Sequence, residues 1–114
     1  MWGVIRDYLF PPKMALSDSR KQEIDLKIKN DKIFVASKSY CPYCNKAKSV
    51  LKSLGESADI IELDELSDGS AIQDYLLEVT GQRTVPNIFI KGKHIGGSSD
   101  LDALQRNGKL ASLL

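Results

Sequence analysis

Two cysteines, Cys41 and Cys44, are the only thiols in this 114-residue chain, and they stand C-x-x-C around a proline and a tyrosine. Thiols so spaced can exchange electrons as a dithiol and a disulfide, or supply half of a metal site. A structural zinc site takes four protein ligands. With no third cysteine and a single histidine, His94, the chain is short of ligands for zinc, and no metal is expected. A purely structural disulfide would close too short a loop to stabilise much. Two inert buried thiols are the bland alternative. Thiol–disulfide chemistry is the stronger reading.

The surroundings of the pair sharpen it. Upstream lies an apolar run, Ile33-Phe34-Val35-Ala36; downstream, Ala47, Val50, Leu51 and Leu54 recur at i, i+3, i+4, i+7. That pattern predicts a strand, a short loop and a helix, with Cys41 at the helix start. Pro42 suits the first helical position, where its missing N–H would be unpaired anyway. The free N–H groups of a first turn and the positive end of the helix dipole favour thiolate at Cys41. Lys38, three residues upstream, adds positive charge. Such cysteines have pKa values lowered to about 3.5–7.5. Cys44, one turn further in, is expected to be more buried and outside that field. Cys41 is therefore expected to attack, and Cys44 to resolve.

Composition is that of one ordinary globular domain, 42% hydrophobic and 27% charged, long enough to bury a core without staples. A formal net charge of +1 points neither to nucleic acid nor to a membrane surface. No apolar run approaches the length of about 20 residues that a membrane span requires. One close cysteine pair in an α/β pattern reads as intracellular and catalytic rather than as a secreted framework. Met1 to Lys13 is mildly apolar but broken by Arg6, Asp7 and Pro11-Pro12, and lacks the h-region of a secretory signal. It is read as a mobile N-terminal extension (residues 1–13) to a domain over 14–114. A cytoplasmic location is expected, with mitochondrial or other targeting by the extension left open.

The remaining elements follow in order. A first helix is expected from about Ser19 to Lys29, with Ser19 and Gln22 as a capping box. Lys32 to Ser37 should form a strand buried on both faces. Gly55 should close the helix after the cysteines, on which Lys46, Lys48 and Lys52 read as a solvated face. Ala58 to Leu63 should be a second strand, parallel to the first, followed by a polar loop. Ile72, Tyr75, Leu76 and Val79 predict a helix over about Gly69 to Thr80, ending at Gly81. Asn87 to Ile90 and His94-Ile95, around Lys91-Gly92-Lys93, read as a hairpin, with His94 given no catalytic role. Ser98 or Ser99 with Asp100 should cap a further helix, stopped by Asn107-Gly108, with a last turn in Lys109 to Leu114. The sum is an α/β domain with a small mixed sheet covered by helices on both faces. A C-x-x-C at the start of the helix after the first strand points to a thioredoxin-like fold.

Four segments carry a closer likeness: Ser37 to Cys44, Gly81 to Ile90, Gly92 to Gly97, and Ser98-Ser99-Asp100-Leu101. They resemble a dithiol glutaredoxin of the small fungal or eukaryotic kind, in which Cys-Pro-Tyr-Cys is a highly specific signature; a thioredoxin would show Trp-Cys-Gly-Pro-Cys. The resemblance runs from about Asp18 to the C-terminus and implies a four-stranded sheet and a glutathione-dependent thiol–disulfide oxidoreductase. It casts Cys41 as nucleophile, Cys44 as resolving thiol, Lys38 as partner of a glutathione carboxylate, and Tyr43 as an aromatic wall beside the sulfur. In Thr84-Val85-Pro86 it implies a cis proline and a Val85 backbone offered to the cysteine of glutathione. Gly97, Ser99 and Asp100 resemble the positions that take the γ-glutamyl end, and Gln73 and Arg83 are the weaker candidates for the glycine carboxylate. Glutathione is thus the implied co-substrate. Glutathionylated or disulfide-containing proteins are the implied clients, glutathione reductase an indirect partner, and the protein a monomer that engages neither nucleic acid nor membrane. The rival reading within the family is an iron–sulfur cluster held through glutathione.

Overall fold

The computed structural model describes residues 15–114; the extension expected over residues 1–13 lies outside them. Its elements are α1 (Asp18–Asn30), β1 (Ile33–Ser37), α2 (Pro42–Ser53), β2 (Asp59–Glu62), a 3-10 turn (Leu63–Glu65), α3 (Gly69–Thr80), β3 (Asn87–Ile90), β4 (Lys93–Gly96), α4 (Ser98–Arg106) and α5 (Leu110–Leu113). The sheet order is β2-β1-β3-β4. β1 runs parallel to β2 and antiparallel to β3, which pairs antiparallel with β4. This is the thioredoxin-like mixed sheet that the sequence implies. Among the described residues no helix is long and apolar enough to cross a membrane.

Strand alternation divides the core. Phe34 and Ala36 point to one face, with Phe89, and pack under Ile24 of α1 and Ile72 and Leu76 of α3. Ile33 and Val35 point to the other, with Ile88 and Ile90, and pack under Ala47 and Leu51 of α2, Leu101 of α4 and Leu110 of α5. All five residues of β1 are buried, as a strand covered on both faces must be. Phe34 and Phe89 are cross-strand partners with ring centroids 5.8 Å apart, the kind of pair that stabilises a sheet beyond the area it buries.

Several boundaries differ from the sequence reading. The N-cap of α1 is Ser17, whose hydroxyl accepts the Arg20 N–H; Ser19 lies inside the first turn, so the Ser19/Gln22 capping box does not form. α4 is capped at Gly97, with the Asp100 carboxylate accepting the Gly97 N–H at 2.9 Å, so neither Ser98 nor Ser99 is the cap. Val79, placed on the buried stripe of α3 by periodicity, is half exposed at the helix end. The polar loop after β2 contains the 3-10 turn, against which α3 starts so closely that a Cβ on Gly69 would lie 1.8 Å from the Leu63 carbonyl oxygen. Only glycine fits there.

Candidate active site

β1 ends at Ser37, and the chain turns through Lys38 to Tyr40 before α2 begins at Pro42. Cys41 is the N-cap of α2, in extended conformation and with no side-chain cap. Its own N–H donates to the Lys38 carbonyl at 3.0 Å, which closes the loop. The Cys41 thiol is partly exposed, whereas Cys44 is fully buried, and both are free.

The two sulfurs sit in opposite electrical settings. Partial burial pushes the Cys41 thiol up. The Cys44 N–H, the Cys44 thiol, the Tyr43 N–H and the charge of Lys48 act against it, and together they leave Cys41 below the ordinary thiol value. For Cys44 burial dominates and pushes it up. The Lys38 N–H, 3.5 Å away, and the Ser37 hydroxyl pull it down, but its hydrogen bond to Cys41 and the Cys41 charge raise it further, so the balance lies above the ordinary value. The helix-start argument therefore holds for Cys41. The cation is different: Lys48, read from the sequence as part of a solvated face, acts on Cys41, while Lys38 acts on the thiol pair through its backbone N–H.

A cleft of about 530 Å³ lies beside Cys41, which is not part of its lining but meets it at Val85. Tyr43, 68% exposed, forms one wall. Thr84, Val85 and Pro86 form the second, with the Val85–Pro86 peptide cis and the Val85 carbonyl accepting from Cys41 Sγ at 4.0 Å. Gly97, Ser98 and Ser99, the start of α4, form the third. The fold thus brings Tyr43, Thr84, Val85, Pro86, Gly97 and Ser99 to one cavity.

Four other expected residues stand behind the cleft's lining or beside it. Asp100 caps Gly97, and a Cβ on Gly96, at φ +118°, would lie 2.3 Å from the Asp100 carboxylate. Gln73 is nearly buried and donates through Nε2 to the Arg83 carbonyl at 2.8 Å. Arg83 itself pairs with Asp74 at 3.0 Å. Lys38 is half-buried in the loop before Cys41 and is not part of the lining.

Sequence reasoning missed Lys46, Asp102 and Arg106, which line the cleft, the last two as an ion pair one turn apart on α4. It also missed Gln82, whose Nε2 donates to the Thr84 and Pro86 carbonyls at 3.1 and 3.0 Å and so fixes the second wall. Lys46 is legible as a cation five residues after Cys41; the others are brought in only by tertiary folding. His94 hydrogen-bonds Asn87 at 2.9 Å and packs on Phe89, away from the cleft's lining.

A family model described as glutaredoxin matches residues 33–95, more than half of the chain. The chain belongs to the glutaredoxin family. It is 52% identical over 94 residues to glutaredoxin-1 of Rhizophagus irregularis, a match that covers 82% of this chain and 93% of that one. It is 48% identical over 100 residues to glutaredoxin-C4 of Arabidopsis thaliana, covering 88% and 74%. Among solved structures, a buckwheat glutaredoxin–glutathione complex superposes with a TM-score of 0.79 at 47% identity, covering 82% of this chain and 84% of that one. Wheat glutaredoxin gives 0.78 at 50% identity, covering 81% and 87%. As a glutaredoxin with an intact Cys41-Pro42-Tyr43-Cys44 pair, the protein is a glutathione-dependent thiol–disulfide oxidoreductase.

Proposed function

We propose that this protein reduces protein–glutathione mixed disulfides through Cys41 alone, and protein disulfides through Cys41 with Cys44 as the resolving thiol. The observation that carries the assignment is the lowered Cys41 thiol at the start of α2, opening onto the cleft wall where the Val85 carbonyl is presented. Glutathione is an anion with two carboxylates and one amine. Its cysteine lies along the Val85 backbone. Its γ-glutamyl carboxylate meets the N–H groups at the start of α4 around Ser99, where a helix terminus favours negative charge. Asp100, at the same terminus, answers the amine. Its glycine carboxylate is met from Lys38 and from the Gln73–Arg83 side.

In the first route the Cys41 thiolate attacks the glutathione sulfur of the mixed disulfide, and the client leaves as a thiolate. A second glutathione then attacks the Cys41–glutathione disulfide, releasing oxidised glutathione and the Cys41 thiolate. Cys41 leaves readily for the same reason that it ionises readily. In the second route Cys41 attacks a client disulfide and Cys44 displaces the client, leaving a Cys41–Cys44 disulfide for glutathione to reduce. Clients are proteins carrying glutathionylated or disulfide-bonded cysteines, and neither route needs a second copy of the chain.

The test is turnover of a glutathione mixed disulfide, coupled to glutathione reductase, for wild type and Cys44→Ser in parallel, with a protein disulfide as second substrate. Cys44→Ser should keep most of the first activity and lose the second. Equal loss of both would overturn the division of labour.

A further inference from the structure

Val85 presents its backbone to the cleft, and the direction of that backbone is set from behind by Gln82. Gln82 Nε2 donates to the Thr84 carbonyl at 3.1 Å and to the Pro86 carbonyl at 3.0 Å. Two carbonyl oxygens can be met only by the NH2 end of a carboxamide, so both of its N–H groups are committed to the carbonyls on either side of Val85. The Thr84–Val85 peptide is trans, and a trans peptide is planar, with its C=O and N–H pointing opposite ways. With the Thr84 oxygen turned to Gln82, the Val85 N–H points away from Gln82. Val85 lines the cleft and Gln82 does not. Among the described residues no group accepts the Val85 N–H. Gln82 is itself held at both ends of its backbone. Its N–H donates at 3.1 Å to the Thr80 hydroxyl, which donates at 2.6 Å to the Leu76 carbonyl in the last turn of α3. Its carbonyl accepts at 3.4 Å from Nδ2 of Asn87, a fully buried residue of β3. A Cβ on Gly97 would lie 4.0 Å from Gln82 Nε2, so the same amide also abuts the start of α4.

We propose that Gln82 is a positioning residue for glutathione: by holding the Thr84 and Pro86 carbonyls it aims the Val85 N–H into the cleft, where that N–H donates to a peptide carbonyl of glutathione. The inference rests on the reading that the cysteine of glutathione lies along Val85, and it adds what keeps that backbone presented. Gln82 touches neither the sulfur nor glutathione and acts only through Val85. A peptide group free to rock must be ordered when a ligand binds, whereas one already held loses little freedom. Substrates are thereby separated by what they carry beside the sulfur. A disulfide with a peptide there gains from the held N–H, and one without a peptide does not. The chemistry at Cys41 is the same for both: its thiolate forms the new S–S bond, and the leaving thiol departs as a thiolate with the electron pair of the old one.

The experiment compares two mixed disulfides of the same coloured aromatic thiol, one with glutathione and one with mercaptoethanol, which has no peptide. Release of the coloured thiol by the reduced protein in a single turnover gives a second-order rate for each, and the ratio of the two is the readout. Wild type should favour the glutathione disulfide. Gln82→Met keeps the length of the side chain and adds no charge but removes both donors; Gln82→Ala removes the whole arm. In both variants the ratio should fall about tenfold, the worth of one net hydrogen bond. Both rates come from the same sample, so an unfolded fraction cancels from the ratio and a merely structural loss does not move it. A Gln82→Met protein that keeps the wild-type ratio overturns the role of Gln82. A wild type that takes the two disulfides equally overturns the glutathione reading on which that role rests.

Discussion

The first turn of α2 holds two thiols three residues apart, and the two ends of that turn behave as different solvents. At the outer end Cys41 accepts from N–H groups of the helix's first turn and lies beside an open cleft, and its thiol is pulled down. One turn deeper, Cys44 is sealed under the sheet end, and burial pushes it up. A dithiol oxidoreductase needs that inequality. The thiol that attacks first must be ionised before a substrate arrives, and the one that attacks second must stay quiet until a mixed disulfide forms beside it. Helix position alone does not distinguish the pair. Hydrogen bonds to Cys41 from the residues that follow it, and loss of water from around Cys44, do the separating.

The largest effect is expected from a change at the outer end. Cys41→Ser should remove turnover of both glutathione mixed disulfides and protein disulfides, because a serine hydroxyl is not ionised where a thiol is. Wild-type activity on either substrate would sink the assignment. A smaller effect separates the two environments by disturbing the cleft and leaving the buried pocket alone. Gly96→Ala forces an L-residue to φ +118° and drives a Cβ onto Asp100, the carboxylate that caps α4. Backbone strain of that kind costs about 1–3 kcal/mol, to be read as a shift in the denaturation midpoint. The KM for glutathione should rise with it, while the titration of Cys44 stays in place. A moved Cys44 titration would show that cleft and pocket are coupled.

Much of this is legible in the amino-acid sequence alone. The alternation through Ile33 to Ala36 and the 3.6-residue recurrence after Cys41 are strong local signals, and the strand, loop and helix lie where they predict. Helix caps are less legible because neighbouring serines compete for the role. Ser17 is followed at once by Asp18 and Ser19 three residues on by Gln22, and only the three-dimensional chain shows which hydroxyl meets an N–H. The cleft is half legible. Tyr43 and Thr84 to Pro86 announce themselves by motif. Lys46, Asp102 and Arg106 look like any charges on the polar side of a helix until α2 and α4 are set against the same loop. The bond from the Ser37 hydroxyl to Glu62, whose other oxygen pairs with Lys48, is not legible at all, since it depends on the register of a parallel strand pair, and no local pattern encodes a parallel register.

The inequality of the two thiols is tested most directly by the pH dependence of alkylation at each cysteine of the reduced protein, resolved by mass spectrometry. Only the thiolate reacts. A lowered Cys41 keeps its reactivity as pH falls below the usual thiol range and loses it on passing its own, lower midpoint; a raised Cys44 gains reactivity only above that range. Cys41 should therefore be modified at neutral pH while Cys44 is spared, with two well-separated midpoints and that of Cys41 the lower. Midpoints that coincide, or a Cys44 that reacts first, would contradict it.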